Sequence, residues 1–545
     1  MSDVGRHLPD CVSSQGTRNF GTWNFGFRIG VKKQEIRNLK HETRNLKPEI
    51  RNLKPETLIR KMITFAASKK IEYITMDNYE EDQEYLRELL GRFESVAGEG
   101  GYSFFDSGEL EDIIYYYFSE SDLAKALQAI DYAIEQFPAE VSFQVFKAQY
   151  FLNNGEPEKA LARLNSLDAI DPHNPDISLT RATVYSTMHK HAEAIKEYQK
   201  SLAHVDEDQD EIHTSIAFEY QNLRDYKKAA EHLKKAIRIN KENESLLYEI
   251  GYCYEMGQMS DEAIEFFNQE INSRPYSLVA WYNLGIAYST IELYEKAIDA
   301  LDYAIAIDPT FTPAYFSKAQ CYEQMEMYLD AIKVYKQTFE LEKPDAMTNY
   351  YIGDCYASLE KYELAIEFYR KSISIERHFS DAWMGIGLCY VELEQNREAL
   401  SHMEQAIKLE SDNAEYYIAL AETQLALGMN SEAALAYEKA SELEPYHAEI
   451  WLDYSDFYAD VMKDYVKALE ILEDGLYYQG DNSSLTYRRV AYLYESGKHR
   501  EAILELFIAL TQDFEAHTQL LEYSENIRNS VEILAVIESY KNKEE

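Results

Sequence analysis

Small apolar residues recur along most of this chain at an interval of 34 residues. An alanine occupies the same phase twelve times, and every step between successive alanines is 34 residues except two steps of 35. We call these positions the register alanines: Ala126, Ala160, Ala194, Ala229, Ala263, Ala297, Ala331, Ala365, Ala399, Ala433, Ala468 and Ala502. A period of this length predicts an array of repeated structural units rather than one large core.

Within each interval the apolar residues follow helical spacing in two short runs. In the best-preserved stretch, Trp281–Pro309, we predict helices over about 279–291 and 295–306. Gly285, twelve residues before its register alanine, lets the first helix approach its neighbour closely, and Tyr288 fills the gap between them. The final proline ends the second helix because proline fixes φ and lacks an amide hydrogen. Such a unit cannot bury its apolar face alone, so the units are expected to stack.

The same stretch resembles the tetratricopeptide repeat, in which W-x2-L-G-x2-Y is followed by alanine, an aromatic residue and proline. The matching residues are Trp281, Leu284, Gly285, Tyr288, Ala297, Ala304 and Pro309. The resemblance covers about 100–510 and is similar in type to the soluble multi-repeat bacterial members. It implies an all-α fold: a right-handed α-solenoid, or superhelix, of about twelve 34-residue helix-turn-helix repeats with capping helices at both ends.

The first 75 residues differ from the rest. A seven-residue tandem repeat begins at Arg37, Arg44 and Arg51. A coiled coil is disfavoured because Pro48 and Pro55 would interrupt its helix. We therefore predict a disordered low-complexity segment over 1–75. Because a 21-nucleotide repeat would also encode this period, we hypothesise a mis-called extension, with the native start at Met76 or Met62.

The remaining boundaries follow from the register. Residues 76–106 are predicted to form a capping helix, carrying Tyr85, Leu86, Leu89, Leu90 and Phe93 at helical spacing and broken by Gly98, Gly100 and Gly101, and then a linker. The array is predicted over 107–515. Residues 516–545 are predicted to be a degenerate capping repeat of two short helices around 526–529, with Ala535 near the register, and a polar tail.

Composition narrows the class of function. The chain has 54 Lys and Arg against 96 Asp and Glu, a net charge of −42, which opposes nucleic-acid binding. Five cysteines in 545 residues favour a reducing compartment. No apolar run is long enough for a membrane helix, and no secretory signal is visible. We expect a cytoplasmic protein that binds neither membrane nor nucleic acid.

Three clusters were considered as metal or catalytic sites, and none is favoured. Cys253, Cys321, Cys355 and Cys389 each lie ten residues before a register alanine, so we predict small buried packing residues instead of zinc ligands. Residues 206–217 begin like a calcium loop but lack its glycine and its final glutamate, so a solvated turn is favoured. His189 and His191 are predicted to be exposed. No nucleophile–base motif or phosphate loop is present, and we predict no enzymatic activity and no cofactor.

The resemblance implies that the first helix of each repeat lines a concave groove. The groove residues carried over to this chain are Tyr248, Glu249, Tyr252, Tyr282, Asn283, Phe316, Gln320, Tyr350, Tyr351 and Asp354. Later repeats add Asp381, Glu415, Glu422, Asp453 and Asp456. Few cations accompany them, so a site for acidic chaperone tails is disfavoured and a basic, extended peptide or protein segment is favoured.

Two interpretations of this groove stay open. The tyrosines are either binding residues or simply fillers of half-buried helix positions. The leading function is a non-enzymatic scaffold or adaptor for protein–protein interaction. The alternative is a regulatory receptor solenoid that binds a small ligand or a signal peptide.

Overall fold

The computed structural model describes the backbone of residues 74–99, 103–205 and 208–544, and within these ranges all regular secondary structure is helical. The predictions for 1–73, including a start at Met62, lie outside the described residues. The helices are α1 Ile74–Glu99, α2 Ser107–Ser119, α3 Leu123–Gln136, α4 Val141–Asn153, α5 Pro157–Leu167, α6 Pro175–Thr187, α7 His191–Leu202, α8 Gln209–Asn222, α9 Tyr226–Ile239, α10 Ser245–Met256, α11 Ser260–Ser273, α12 Leu278–Thr290, α13 Tyr294–Ile307, α14 Thr312–Gln324, α15 Tyr328–Thr338, α16 Ala346–Ser358, α17 Tyr362–Ile375, α18 Ser380–Glu392, α19 Asn396–Leu409, α20 Ala414–Ala426, α21 Asn430–Leu443, α22 Ala448–Asp456, α23 Tyr465–Gln479, α24 Ser483–Glu495, α25 His499–Gln512, α26 His517–Tyr523, α27 Glu525–Arg528 and α28 Val531–Glu544.

The chain divides into two compact units, Met1–Met259 and Ser260–Glu545. In the first unit, α2 to α9 form four helix pairs, and each helix from α2 to α9 packs against the next one along the chain. In the second unit, the helices from α11 to α25 pack in the same sequential way. This neighbour-to-neighbour packing is typical of helical repeats, and the predicted all-α helical-repeat solenoid is confirmed.

The register alanines lie at the tightest contacts of these pairs. All twelve have at most 3 % of their surface exposed. Gly285 shows the same tightness on a first helix, since a Cβ atom built there would lie 2.7 Å from Leu301 Cγ. At Gly353 the corresponding distance to Tyr369 Cε1 is 2.6 Å. The small residues therefore set how closely the two helices of a pair approach.

The turn inside each repeat has a left-handed residue that the sequence did not reveal. It lies five positions before every register alanine and has a positive φ in all twelve repeats. The residues are Ser121, Gly155, His189, Arg224, Gln258, Glu292, Glu326, Glu360, Glu394, Gly428, Lys463 and Gly497. Only three of them are glycine, the residue that adopts this conformation without steric cost. The other nine carry a Cβ atom in an unfavourable backbone region.

The turn between repeats is held by an aromatic side chain of the following first helix. The indole Nε1 of Trp281 donates a hydrogen bond to the carbonyl oxygen of Pro275 at 2.9 Å. The indole of Trp451 donates in the same way to Pro445 O, also at 2.9 Å. The tryptophan at this position therefore holds the preceding turn through a hydrogen bond and also packs within the repeat.

One of the two one-residue insertions coincides with a local change of helix type. The step from Ala433 to Ala468 coincides with a π-helical turn at Phe457–Val461 that continues α22, because a π turn accommodates one extra residue within a helix. The step from Ala194 to Ala229 lies near residues 206–207, which are outside the described residues.

The ends of the array differ from the prediction in three details. Helix α1 buries Leu89 and Phe93, as expected for a capping helix, but Tyr85 is 51 % exposed. Gly98 lies inside α1, so it does not break that helix. At the other end, Ala535 is exposed while Ile533 and Ile537 are buried, because α28 turns a different face to its neighbours. The alanine register therefore stops at Ala502.

Candidate functional site

Within each unit, the surface formed by the first helices of its repeats is here called the helix-A face of that unit. In the first unit it carries Tyr248 and Tyr252 on α10, which are 40 % and 42 % exposed. Glu249 lies between them and accepts a hydrogen bond from Gln221 Nε2 at 3.1 Å. The Tyr252 ring contacts Tyr226 edge-on, with centroids 6.1 Å apart. Both predicted tyrosines therefore present ring surface to solvent on one helix.

In the second unit, α12 shows two different outcomes. Tyr282 is half-buried and packs edge-on against Phe311, with centroids 5.2 Å apart. Asn283 is only 8 % exposed, and its side-chain amide donates to Val279 O at 3.0 Å. Asn283 therefore supports its own helix and offers little to a ligand.

Helices α14 and α16 carry the remaining predicted residues. Phe316 is half-buried, with its ring 5.7 Å from that of Tyr335, whereas Gln320 on the same helix is exposed. The Tyr351 ring is stacked on Tyr335 at 5.6 Å. These rings pack on one another in one aromatic cluster.

Tyr350 and Asp354 belong to a packed hydrogen-bond network. The Tyr369 hydroxyl donates to Asp354 Oδ1 at 2.6 Å. Tyr350 also hydrogen-bonds Asp354, and its ring packs against Phe379 at 5.1 Å. Burial raises the pKa of the Tyr350 hydroxyl well above its usual range. For this residue the packing interpretation of the groove tyrosines is the better one.

Three carboxyl groups along the helix-A face of the second unit have raised pKa values, although Glu422 and Asp453 are exposed and only Asp381 is half-buried. Burial raises the pKa of Asp381, Glu422 and Asp453, and for Asp453 the pKa rises to about 6, with Glu422 and Asp456 adding repulsion. One cation departs from the predicted acidic pattern. Arg488 on α24 pairs with Asp456.

A pocket of about 200 Å³ lies at the helix-A face between α18 and α20. Its apolar wall consists of Leu388, Val391, Met403, Ala419 and Ala426. Most of these residues occupy groove positions of the repeat, but they carry no polar group and so gave no signal in the sequence.

The other candidate clusters have structural roles. Cys253, Cys321, Cys355 and Cys389 are buried, as predicted, and burial raises the pKa of Cys253 to about 11. The prediction that His191 is exposed is wrong, because its Nδ1 lies 2.7 Å from Glu219 Oε2 and its side chain is mostly covered. His189 is exposed, as predicted.

The described residues bear on two other predictions. Part of the calcium-like segment, residues 206–207, lies outside the described residues. Among the residues that are described, no three His, Cys, Asp or Glu side chains are grouped closely enough to hold a metal ion. None of the described helices combines the length and apolarity needed to cross a bilayer.

Comparison with known families identifies the repeats. Residues 114–332 match the tetratricopeptide repeat protein 21 N-terminal ARM repeat. Residues 348–379 and 384–448 match tetratricopeptide repeat models. Together these matches cover more than half of the chain. No curated protein sequence matches the chain as a whole or in part.

Several solved structures are similar. The crystal structure of YrrB, described as a TPR protein with an unusual peptide-binding site, shares 20% identity over 34% of this chain and 95% of that chain, with a TM-score of 0.28. Cut9–Hcn1 of the APC/C shares 14% identity over 78% and 97%, with a TM-score of 0.35. Yeast Tom70 shares 13% identity over 80% and 95%, with a TM-score of 0.38.

Repeats of this family generally form non-enzymatic scaffolds for protein–protein interaction. The matched models, the buried alanine register and the sequential helix pairs agree. The chain is therefore a tetratricopeptide repeat protein.

Proposed function

We propose that this protein is a cytoplasmic, non-enzymatic adaptor that binds a basic, extended peptide or protein segment along its helix-A face. The observation that carries the proposal is the electrostatic state of that face in the second unit. Asp381, Glu422 and Asp453 all have carboxyl pKa values raised by burial. Carboxyl groups with a raised pKa favour a cationic partner, because a nearby positive charge stabilises their ionised form.

Aromatic surface supports the same proposal in the first unit. Tyr248 and Tyr252 each keep about two fifths of their surface exposed on one helix. Tyrosine suits a binding surface because it buries a large ring at low entropic cost and retains a polar hydroxyl. The neighbouring Glu249 adds an acceptor beside the rings.

The structure changes which aromatic residues make a useful test. The sequence alone would suggest replacing Tyr248, Tyr282, Phe316 and Tyr350 together with alanine. Because Tyr350 holds Asp354 and packs on Phe379, its loss would damage the fold. A sharper variant replaces only Tyr248 and Tyr252 with alanine.

The matched control replaces two exposed tyrosines elsewhere, Tyr446 and Tyr477, which are 77 % and 83 % exposed. Binding is measured against an array of peptides that are either rich in Lys and Arg or rich in Asp and Glu. We expect the wild type to prefer the basic peptides, the Tyr248/Tyr252 variant to lose affinity, and the control to retain it. A wild type that prefers acidic peptides, or equal loss in both variants, would refute the proposal.

A further inference from the structure

The pocket between α18 and α20 combines an apolar wall with polar side chains that include no cation. Besides its apolar residues, the pocket is lined by Glu394, Asn396, Glu422 and Thr423. None of the lining residues is basic. A ligand entering this pocket therefore meets methylene and methyl groups along the wall and acidic side chains beside them.

Asn396 provides an independent indication of a missing partner. Its side-chain oxygen Oδ1 is buried and accepts no hydrogen bond in the described structure. Buried acceptors are nearly always paired in native proteins, because an unpaired one keeps the full cost of its desolvation. A hydrogen-bond donor, either water or a group of a ligand, would satisfy this oxygen.

Glu394 lies on the turn beside the pocket. Glu394 is the left-handed residue of its repeat turn, with a φ of 57°, and it is followed within two residues by Asn396. Glu422 comes from the adjacent first helix, α20. Two repeats thus contribute carboxylates to the same pocket.

We propose that this pocket takes the side chain of a lysine from the bound segment. The lysine methylenes would lie along Leu388, Val391 and Met403, and the ammonium group would meet Glu394, Asn396 and Glu422. An ammonium group has three donors and no acceptor, which matches three acceptor side chains. Long aliphatic stems with charged ends bury the stem and direct the charge outward in this way.

The charge state of Glu422 is consistent with this occupant. Burial raises the pKa of its carboxyl group, so the carboxylate is less stable than it would be in water. An ammonium group close by restores that stability. The inference rests on the proposed function and specifies which side chain of a basic segment is recognised in the ninth and tenth repeats.

The test uses the full chain and two fluorescein-labelled peptides of Ala, Ser and Gly that differ only at one central residue, which is either lysine or norleucine. Norleucine has the apolar stem without the charge. By fluorescence anisotropy we expect the lysine peptide to bind about tenfold more tightly, in the range found for close charge pairs. Equal binding of the two peptides would overturn the inference.

Two variants locate the effect. Glu422→Gln should remove most of the preference for lysine, whereas Glu404→Gln, which removes an equal charge from the exposed face of α19, should leave it unchanged. Ala426→Leu fills the pocket from an exposed position without changing the charge. It should therefore weaken the binding of both peptides. Thermal melting confirms that each variant is folded.

The failures of the two proposals can be told apart. Suppose that the Tyr248/Tyr252 variant loses affinity for basic peptides while Glu422→Gln and Ala426→Leu bind them like the wild type. The proposal that the pocket binds lysine is then wrong, and the proposed function stands. If the wild type shows no preference for basic peptides, the proposed function fails and the lysine pocket fails with it.

Discussion

Single glycines decide how tightly the two helices of a repeat can pack. At Gly285 an added Cβ atom would lie 2.7 Å from Leu301 Cγ and 3.3 Å from the carbonyl oxygen of Ala297. We predict that Gly285→Leu destabilises the protein by about 1–3 kcal/mol through overpacking. Thermal melting followed by circular dichroism measures the change.

The matched control for that prediction is Gly91→Leu. Gly91 also lies inside a helix, α1, but a Cβ atom there would meet nothing within 4 Å. Its replacement should leave the melting temperature unchanged or raise it, since glycine weakens helix interiors. Equal melting of Gly285→Leu and the wild type would contradict the assigned phase of the repeat.

For the left-handed turn residues we predict a substitution that raises the stability of the protein. Glu326 has a φ of 57°, a conformation that costs an L-residue about 1–2 kcal/mol. We expect Glu326→Gly to stabilise the chain by up to about 1 kcal/mol, because glycine's larger entropy loss offsets part of the gain. Glu326→Ala should give no gain, since alanine keeps the Cβ atom.

Gly428 serves as the reciprocal test of the same idea. It occupies the equivalent turn position three repeats later, with a φ of 75° and open space around it. Gly428→Ala should therefore lower the melting temperature although it meets no steric contact outside its own backbone. If both substitutions were neutral, backbone conformation would not limit these turns.

Residue identity alone could not separate binding tyrosines from packing tyrosines. Tyr252 and Tyr350 both fall at groove positions and look equivalent in sequence. In the structure, Tyr252 is exposed, whereas Tyr350 hydrogen-bonds Asp354 and packs on Phe379. The difference depends on which side chains the neighbouring repeats supply, and that information is not local in the sequence.

At the scale of the helix pair, the alanine register was enough to predict where helices pair. A buried alanine is required wherever two helices approach closely, so the requirement appears in every repeat. The left-handed turn gave no comparable signal because nine different repeats tolerate a non-glycine residue there. The π-helical turn at Phe457–Val461 was indicated only by a 35-residue step, which any loop insertion would also explain.

The pair α8 and α9 contains a titratable contact that should make it sensitive to acid. His213 Nδ1 and His232 Nδ1 lie 3.0 Å apart, a hydrogen bond that needs one nitrogen without a proton. Burial, together with nearby Lys235, lowers the pKa of His232 to about 4 and also lowers that of His213, which Asp210 partly offsets. Tyr220 covers one side of the His232 ring.

We predict that this pair loses stability as the pH falls from about 6.5 to about 4. Over that range the unfolded histidine, with its ordinary pKa near 6.5, binds a proton that the folded one does not. Hydrogen exchange of residues 209–239 should accelerate in acid. His232→Leu should remove much of that dependence, whereas His378→Gln, at an exposed histidine, should not. Exchange independent of pH after correction for the intrinsic rate would contradict the prediction.

At the scale of the whole molecule, added salt should change folding stability and peptide affinity in opposite directions. The chain carries a net charge of −42, and charge of one sign destabilises a folded state through self-repulsion. Salt screens this repulsion over a length of about 10 Å at 0.1 M. We therefore predict that the melting temperature rises with sodium chloride, while glycerol at equal osmolality serves as the control for effects other than charge.

The same screening should weaken the proposed interaction. A basic segment is attracted to the helix-A face by carboxylates such as Asp453 and Glu422, and added salt reduces that attraction. We expect stability and affinity for basic peptides to move in opposite directions over the same salt series. A parallel rise of both would mean that apolar contacts dominate binding, and the acidic surface would then serve solubility more than recognition.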